Sequence, residues 1–305
     1  MRPIRGILYK ITSVIMFISM ASLVKLLSGA VPPGQIVFFR SLFAMPVIVV
    51  WLVWRKEMRT GFRAKKPLGH FWRGLVGTTA MGLGFASLGF LPLPEVTAIG
   101  YAAPLLVVIF ASMFLGEQVR LFRLTSVFVG LVGVLIVLSP RLSVGTGVSH
   151  VQALGAMLAL TGAVFAALAQ VTVRKLVATE TTSAIVFWFS VTAAGLSLMT
   201  LPFGWVLPSM GQTAILVLTG LLGGVGQIFL TSSYREADAS LVAPFDYVSI
   251  MFALAIGYWA FGEVPTGTML IGAAIVIAAG ILIIWRERQL GLERARQRKV
   301  MTPQG

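Results

Sequence analysis

The chain has 305 residues, 57% of them hydrophobic and only 11% charged, with a net charge of +14 and a mean hydropathy of +0.93. A water-soluble surface cannot be covered by so few polar side chains, since about a quarter of a soluble domain's residues are charged; a soluble enzyme or binding domain is thereby excluded. Cysteine is absent, so disulfides, thiolate metal sites and cysteine nucleophiles are excluded as well.

Apolar runs between charged or Pro/Gly-rich breaks predict ten helical spans, because lipid requires each segment to satisfy its own backbone hydrogen bonds. Span 1, at 7–28, carries Lys25 close to its outer end, where the amine is expected to snorkel to the interface. Its basic start and Ser28-Gly29-Ala30 also resemble a cleavable signal peptide, a competing reading that would leave nine spans. Span 2, at 34–54, contains Arg40, read as a helix–helix or headgroup contact away from any central site. Span 3, at 73–92, is dense in glycine (Gly74, Gly77, Gly82, Gly84, Gly89), which suits close helix approach, and holds Phe85. Span 4, at 94–115, begins with Glu95, a local dipole-complementing acid. It includes Tyr101 and Pro104 and ends at Gly116-Glu117. Span 5 lies at 122–139.

The second set lies at 151–173, 183–203, 212–232, 240–261 and 266–285. Gln170 falls in span 6, and Gln227 in span 8 among Gly220, Gly223, Gly224 and Gly226. Span 9 carries Asp246 and Tyr247 just after Pro244, whose missing N–H leaves a carbonyl unpaired. Trp51, Trp54, Trp72 and Trp285 near span ends read as interface anchors.

The basic residues sit in short loops between spans rather than on one folded face, which argues against nucleic acid. Of 24 Lys and Arg, 21 fall on one side of the ten-span topology, among them Lys10 with the N-terminus and Arg73 with the 55–73 loop. The positive-inside rule then places both termini in the cytoplasm and the chain in the inner membrane. The tail 287–305 is basic and expected along the anionic leaflet. Residues 97–136 and 239–283 resemble one another: Gly116-Glu117 and Gly262-Glu263 lie 146 residues apart, as do Tyr101 and Tyr247. Each half, 1–141 and 142–286, then holds five spans. Five is odd, so the second half enters inverted, a pattern that recurs in secondary transporters.

The Gly-Glu ends of spans 4 and 9, and above all Ala239-Ser240-Leu241-Val242-Ala243-Pro244-Phe245-Asp246-Tyr247 followed by Gly262-Glu263-Val264-Pro265, resemble the drug/metabolite transporter superfamily, EamA type, including its riboflavin-transporter group. The resemblance covers the whole chain as two repeats. It implies an all-α integral membrane fold of ten transmembrane helices in two inverted five-helix repeats, around a cavity lined mainly by spans 1, 3, 4, 6, 8 and 9. Where many relatives carry Glu, this chain has the shorter Asp246. Members resembling this chain move riboflavin, S-adenosylmethionine, amino acids or other metabolites.

The expected substrate-binding residues are Asp246, Tyr247, Gln227, Tyr101, Phe85 and Gln170; Pro104, Pro244, Glu117 and Glu263 are expected to be structural or gating. Asp246 reads as a cavity carboxylate or as half of a structural ion pair. The amides either bind substrate or join helices, and the rings either stack on a planar ligand or pack. Glu117 and Glu263 are expected to tie the hairpins that follow them. His70 and His150 read as loop residues on opposite faces, so no metal site and no other cofactor is expected. No phosphate-binding loop is present to use ATP.

The implied function is alternating-access transport of a small organic metabolite. Riboflavin uptake is favoured because the candidate residues are aromatic, amide and nearly uncharged. S-adenosylmethionine or amino-acid transport, or export, is the alternative within the family. An intramembrane enzyme would need clustered acids, which are absent. The partners are the small-molecule substrate and the lipid bilayer, with a homodimer left open.

Overall fold

The computed structural model describes residues 3–115, 121–142, 150–237 and 242–301. In chain order the helices are α1 (Pro3–Leu27), α2 (Pro33–Trp54), α3 (Met58–Gly61), α4 (Pro67–Leu88), α5 (Leu93–Gly100), α6 (Ala102–Leu115), α7 (Leu121–Leu142), α8 (His150–Val177), α9 (Thr182–Leu198) and α10 (Met210–Glu236). A 3-10 helix (Ala243–Tyr247) leads into α11 (Val248–Phe261), and α12 (Gly267–Met301) ends the described chain. Helices account for all the regular structure among the described residues.

Six of these segments are long and apolar enough to cross a membrane, and Thr182–Leu198, Phe245–Phe261 and Gly267–Ile283 are shorter apolar helices. The tenth span is α4, whose polar first turns carry His70 and Arg73. Helix starts follow local chemistry. Prolines open α2, α4 and α5, where a missing N–H costs nothing. Thr181 caps α9, and Ser209 with Gln212 forms a capping box on α10. Gly262, at φ 64°, ends α11 in the left-handed region that glycine adopts freely.

Spans 4 and 9 are not continuous α-helices. Span 4 breaks at Tyr101, between α5 and α6, because Pro104 cannot donate to the Gly100 carbonyl one turn earlier. Span 9 starts as a 3-10 helix around Pro244 and becomes α-helical only after Tyr247. The two tyrosines therefore occupy corresponding breaks.

Helix pairing follows the two-half pattern. Span 1 (α1) packs along span 8 (α10), and span 6 (α8) along span 3 (α4), the same pair with the halves exchanged. Spans 2 and 7 (α2, α9) pair with each other, as do spans 5 and 10 (α7, α12). At the α7–α12 crossing a Cβ on Gly272 would lie 2.6 Å from the Gly133 carbonyl oxygen, so the backbones touch there. One apolar core joins α5–α8 with α11 and α12, and another joins α1, α2, α4 and α10. The end of the bundle where α1 begins is called proximal below, and the end where α1 finishes is called distal.

Candidate functional site

Two adjoining chambers, of about 430 Å³ and 300 Å³, lie between the halves and share Phe17, Ala166, Gln170, Leu230 and Tyr234. Lys10, Ser13, Val14 and Phe17 line the larger one, a 3–4 spacing that puts them on one face of α1. Tyr101, Gln170, Tyr234 and Asp246 add polar groups to its wall, and Pro104 lines it as well.

Asp246 Oδ1 lies 2.8 Å from Lys10 Nζ. The lysine is only 2% exposed and the carboxylate 31%, so the cation is set into the wall and the anion faces the chamber. Lys10 also donates to the Tyr234 hydroxyl at 3.4 Å and lies 5.2 Å from that ring's centre. Lys10 is thus no loop charge. It is the buried partner of the acid that the sequence singled out.

Tyr101 lines the chamber with its hydroxyl 2.8 Å from Ser249 Oγ and 3.3 Å from the Tyr247 carbonyl. Tyr247 stands behind it instead of in the wall: its ring meets Tyr101 edge-on at 5.0 Å, and its hydroxyl abuts Gly280 of α12. Its place is packing between span 9 and span 10.

The second chamber is lined by Arg40, Arg73, Phe85, Gln170, Phe189 and Gln227, among others. The sequence expected Arg40 to be peripheral and Arg73 to be a loop residue; both are buried in this wall, at 2% and 6% exposure. Their guanidinium carbons lie 5.5 Å and 4.1 Å from the centre of the Phe189 ring. Two span-3 and span-8 glycines make room for them. A Cβ on Gly223 would come within 2.6 Å of Arg40 Nε, and one on Gly77 would collide with Arg73 Nη1. The cavity is therefore charged, which corrects the expectation of a nearly uncharged one.

At the distal end, Lys25 is 13% exposed and does not snorkel. It meets Glu263 Oε1 at 2.7 Å and donates to the Leu88 and Leu91 carbonyls at 3.3 and 2.8 Å. Glu263 Oε2 accepts from the Leu93 amide at 2.9 Å. Rather than only closing its own hairpin, Glu263 ties the end of span 9 to spans 1, 3 and 4. Glu95 is likewise more than a local acid. It receives two bonds from Arg141, at 2.7 and 3.0 Å, and Arg141 also reaches Gln152. Glu117 lies outside the described residues.

At the proximal end, Glu180 in the α8–α9 loop accepts from the Lys65 and Lys66 amides at 2.9 and 2.7 Å. It sits 3.6 Å from His70 Nε2, and its own carbonyl accepts from Arg235 at 2.7 Å. Burial pushes this carboxyl up, but the two amides and His70 outweigh it and hold it below its ordinary value. His70 is buried in the first turn of α4, not in a loop. Among the described residues no cluster of His, Asp and Glu suits a metal ion.

An all-helical bundle of ten spans enclosing a charged chamber is the form of a membrane solute carrier. The EamA-like transporter family matches the chain twice, over residues 4–139 and 153–285, and the protein belongs to that family. It is a multi-pass membrane transporter of the drug/metabolite superfamily, not an enzyme. Similar proteins include a pseudopaline exporter of Pseudomonas aeruginosa, 29% identical over 91% of this chain and 95% of that one. An S-adenosylmethionine uptake transporter of Rickettsia prowazekii is 26% identical over 84% of both chains. A riboflavin transporter of Rhizobium johnstonii is 27% identical over 82% of this chain and 78% of its own.

Proposed function

We propose that this protein moves a small organic solute across the inner membrane by alternating access, with the two chambers as its passage. Residues 1–141 and 142–286 are the bodies that rock against each other, and both termini face the cytoplasm, a reading that the excess of Lys and Arg on that side supports. The carrying observation is the set of Lys10, Arg40, Arg73 and Asp246 in the chamber walls. Each intramembrane charge costs about 2.5–3.5 kcal/mol at a helix centre, a cost without return in a bundle that passes nothing. The Lys25–Glu263 bridge supports closure at the distal end, and the partly exposed Asp246 supports access from the proximal end. No nucleotide site lies in the sequence, so the solute gradient or a proton gradient supplies the energy.

For the solute, a charged metabolite of the S-adenosylmethionine or amino-acid kind fits these walls better than riboflavin. Riboflavin uptake stays as the second reading, favoured by Phe85 and Tyr101 as ring platforms and by Gln170 and Gln227 as amide partners. A single chain encloses both chambers, so a homodimer is not needed for passage.

Purified protein in liposomes, offered labelled S-adenosylmethionine, amino acids and riboflavin one at a time, tests this directly. Saturable flux of a charged metabolite, abolished by Asp246→Asn, is expected. Saturable flux of riboflavin alone selects the second reading, and no saturable flux of any of them rejects the proposal.

A further inference from the structure

We infer that Arg40 and Arg73 together form an anion subsite that receives a carboxylate of the transported solute, an inference that rests on the second chamber being part of the passage. The two side chains come from different helices, α2 and α4, and converge on Phe189 of α9. Their guanidinium carbons are therefore no further apart than the sum of their distances to that ring. Both are more than nine-tenths buried.

Neither is satisfied. Arg40 makes one bond, from Nη2 to the Gly223 carbonyl at 3.2 Å, while its Nε and Nη1 have no hydrogen-bond partner. Arg73 Nε and Nη1 have none either. Among the described residues no carboxylate forms an ion pair with either arginine; the acids that are paired meet Lys10, Lys25, Arg55, His70 and Arg141. A structural arginine in a helix bundle covers its five N–H donors with carbonyls or acids. Here two adjacent cations repel each other in a low-dielectric wall, held by one carbonyl and the face of one ring.

An acceptor that fills this gap has to be anionic and present two oxygens to the guanidinium forks, as a carboxylate does. The space for it is the second chamber itself, and Gly77 and Gly223 lack the Cβ atoms that would push the arginines out of its wall. Gln227 and Thr231 line the same chamber, and Thr231 Oγ1 is also without a partner. The uncharged remainder of the solute would lie against Phe85 and Met81, and through Gln170 and Tyr234 it would reach the chamber of Asp246. The solute class is thus an organic carboxylate, in which any cationic group sits at the Asp246 end.

The test uses probes of matched shape and different charge: benzoate against benzamide, and succinate against succinamide, titrated into the full-length protein in detergent. The carboxylates are expected to bind and raise the unfolding temperature, and the amides to do neither. Arg40→Gln and Arg73→Gln are each expected to weaken carboxylate binding at least tenfold. The variants should unfold at or above the wild-type temperature without ligand, since each removes a buried charge lacking an acid partner, so weakened binding is not misfolding. Equal binding of acids and amides, no binding of either acid at millimolar concentration, or unchanged affinity in both variants overturns the subsite. Liposome flux separates this failure from that of the transport reading. A solute that crosses equally well in wild type and both variants removes the subsite and leaves transport standing. Carboxylate binding lost in the variants, with no solute crossing, leaves the subsite and removes the passage.

Discussion

Lys10 and Asp246 form a charge pair in the wall of the larger chamber. The lysine is almost wholly buried and the aspartate is not. Removing the acid therefore strands a cation, whereas removing the lysine leaves an anion that water can reach. Breaking a fully buried pair costs about 3–5 kcal/mol, and the exposure of Asp246 lowers that to an expected value of about 1–3 kcal/mol. Asp246→Asn should lower the unfolding temperature and cut flux at least tenfold. Adding Lys10→Met to it should recover stability, by replacing the stranded charge with an apolar chain, but not flux. Recovery of both would make the pair a purely structural tie, and unchanged flux of Asp246→Asn at every pH would remove the residue from the mechanism. Asp246 was legible in the sequence because a lone acid deep in an apolar run stands out. Lys10 and Arg73 were not, because each lies at the edge of an apolar run and counts as a flanking loop charge. The one available signal was spacing: Lys10 shares a helical face with Ser13, Val14 and Phe17. Arg40 was visible as an intramembrane charge, but nothing in a single sequence says which way a helix face turns.

Helices bring these residues together through their small faces. Spans 3 and 8 are glycine-rich in the sequence, and the general inference of close packing holds at Gly220, where a Cβ would lie 2.4 Å from the Phe43 Cβ of span 2.

 

Two of those glycines do something the composition could not announce. Gly77 and Gly223 face Arg73 and Arg40, not a neighbouring helix backbone. Gly77→Ala and Gly223→Ala should therefore displace the guanidinium groups and reduce flux several-fold, although alanine favours a helix by about 1 kcal/mol. Gly82→Ala, in the same span with open space around it, should leave flux unchanged. Equal effects at all three positions would mean that helix flexibility matters, not arginine placement. The breaks at Tyr101 and Tyr247 were only half legible. A proline marks where a helix loses a hydrogen bond, but whether the chain bends, breaks or tightens to 3-10 is decided by its neighbours. Loops contribute through Glu180, which fastens the α8–α9 connection to the Lys65 and Lys66 amides. Its folded-state affinity for protons is lowered relative to the ordinary value of 4.5. An acid shifted down adds stability that is complete above its unfolded value and is lost as pH falls through the folded one. The wild-type unfolding temperature should therefore drop more steeply than that of Glu180→Gln as pH is taken below about 4.5. Parallel curves would show that the clamp does not titrate as described.

The molecule as a whole is organised about Tyr101 and Tyr247, which lie 146 residues apart and touch ring to ring. Equivalent residues of two copies can meet only near the axis that relates the copies, so the contact places the pseudo-twofold between spans 4 and 9. Tyr101 lines the first chamber beside this contact, and the charged ties lie at the two ends of the bundle. Glu263 and Lys25 hold spans 1, 3, 4 and 9 together at the distal end, and Glu180 holds loops at the proximal end. For a rocking motion to expose the chambers distally, the Lys25–Glu263 bridge has to part. The absence of cysteine in the chain makes this testable with single introduced thiols. Leu207, which is 99% exposed in the distal α9–α10 loop, reports orientation: Leu207→Cys should react with a membrane-impermeant maleimide added outside intact cells. Leu121→Cys, 76% exposed at the proximal start of α7, should react only after the cells are opened. Phe85→Cys reports the gate, since Phe85 lines the second chamber close to the distal end of span 3 and is 7% exposed. It should react slowly from outside, and adding Glu263→Gln should speed it about tenfold, the change expected if losing the bridge shifts the closed–open balance by about 1.4 kcal/mol. Labelling of Leu121→Cys from outside would invert the topology, and a Phe85→Cys rate indifferent to Glu263→Gln would show that the bridge is a brace that stays shut throughout the cycle.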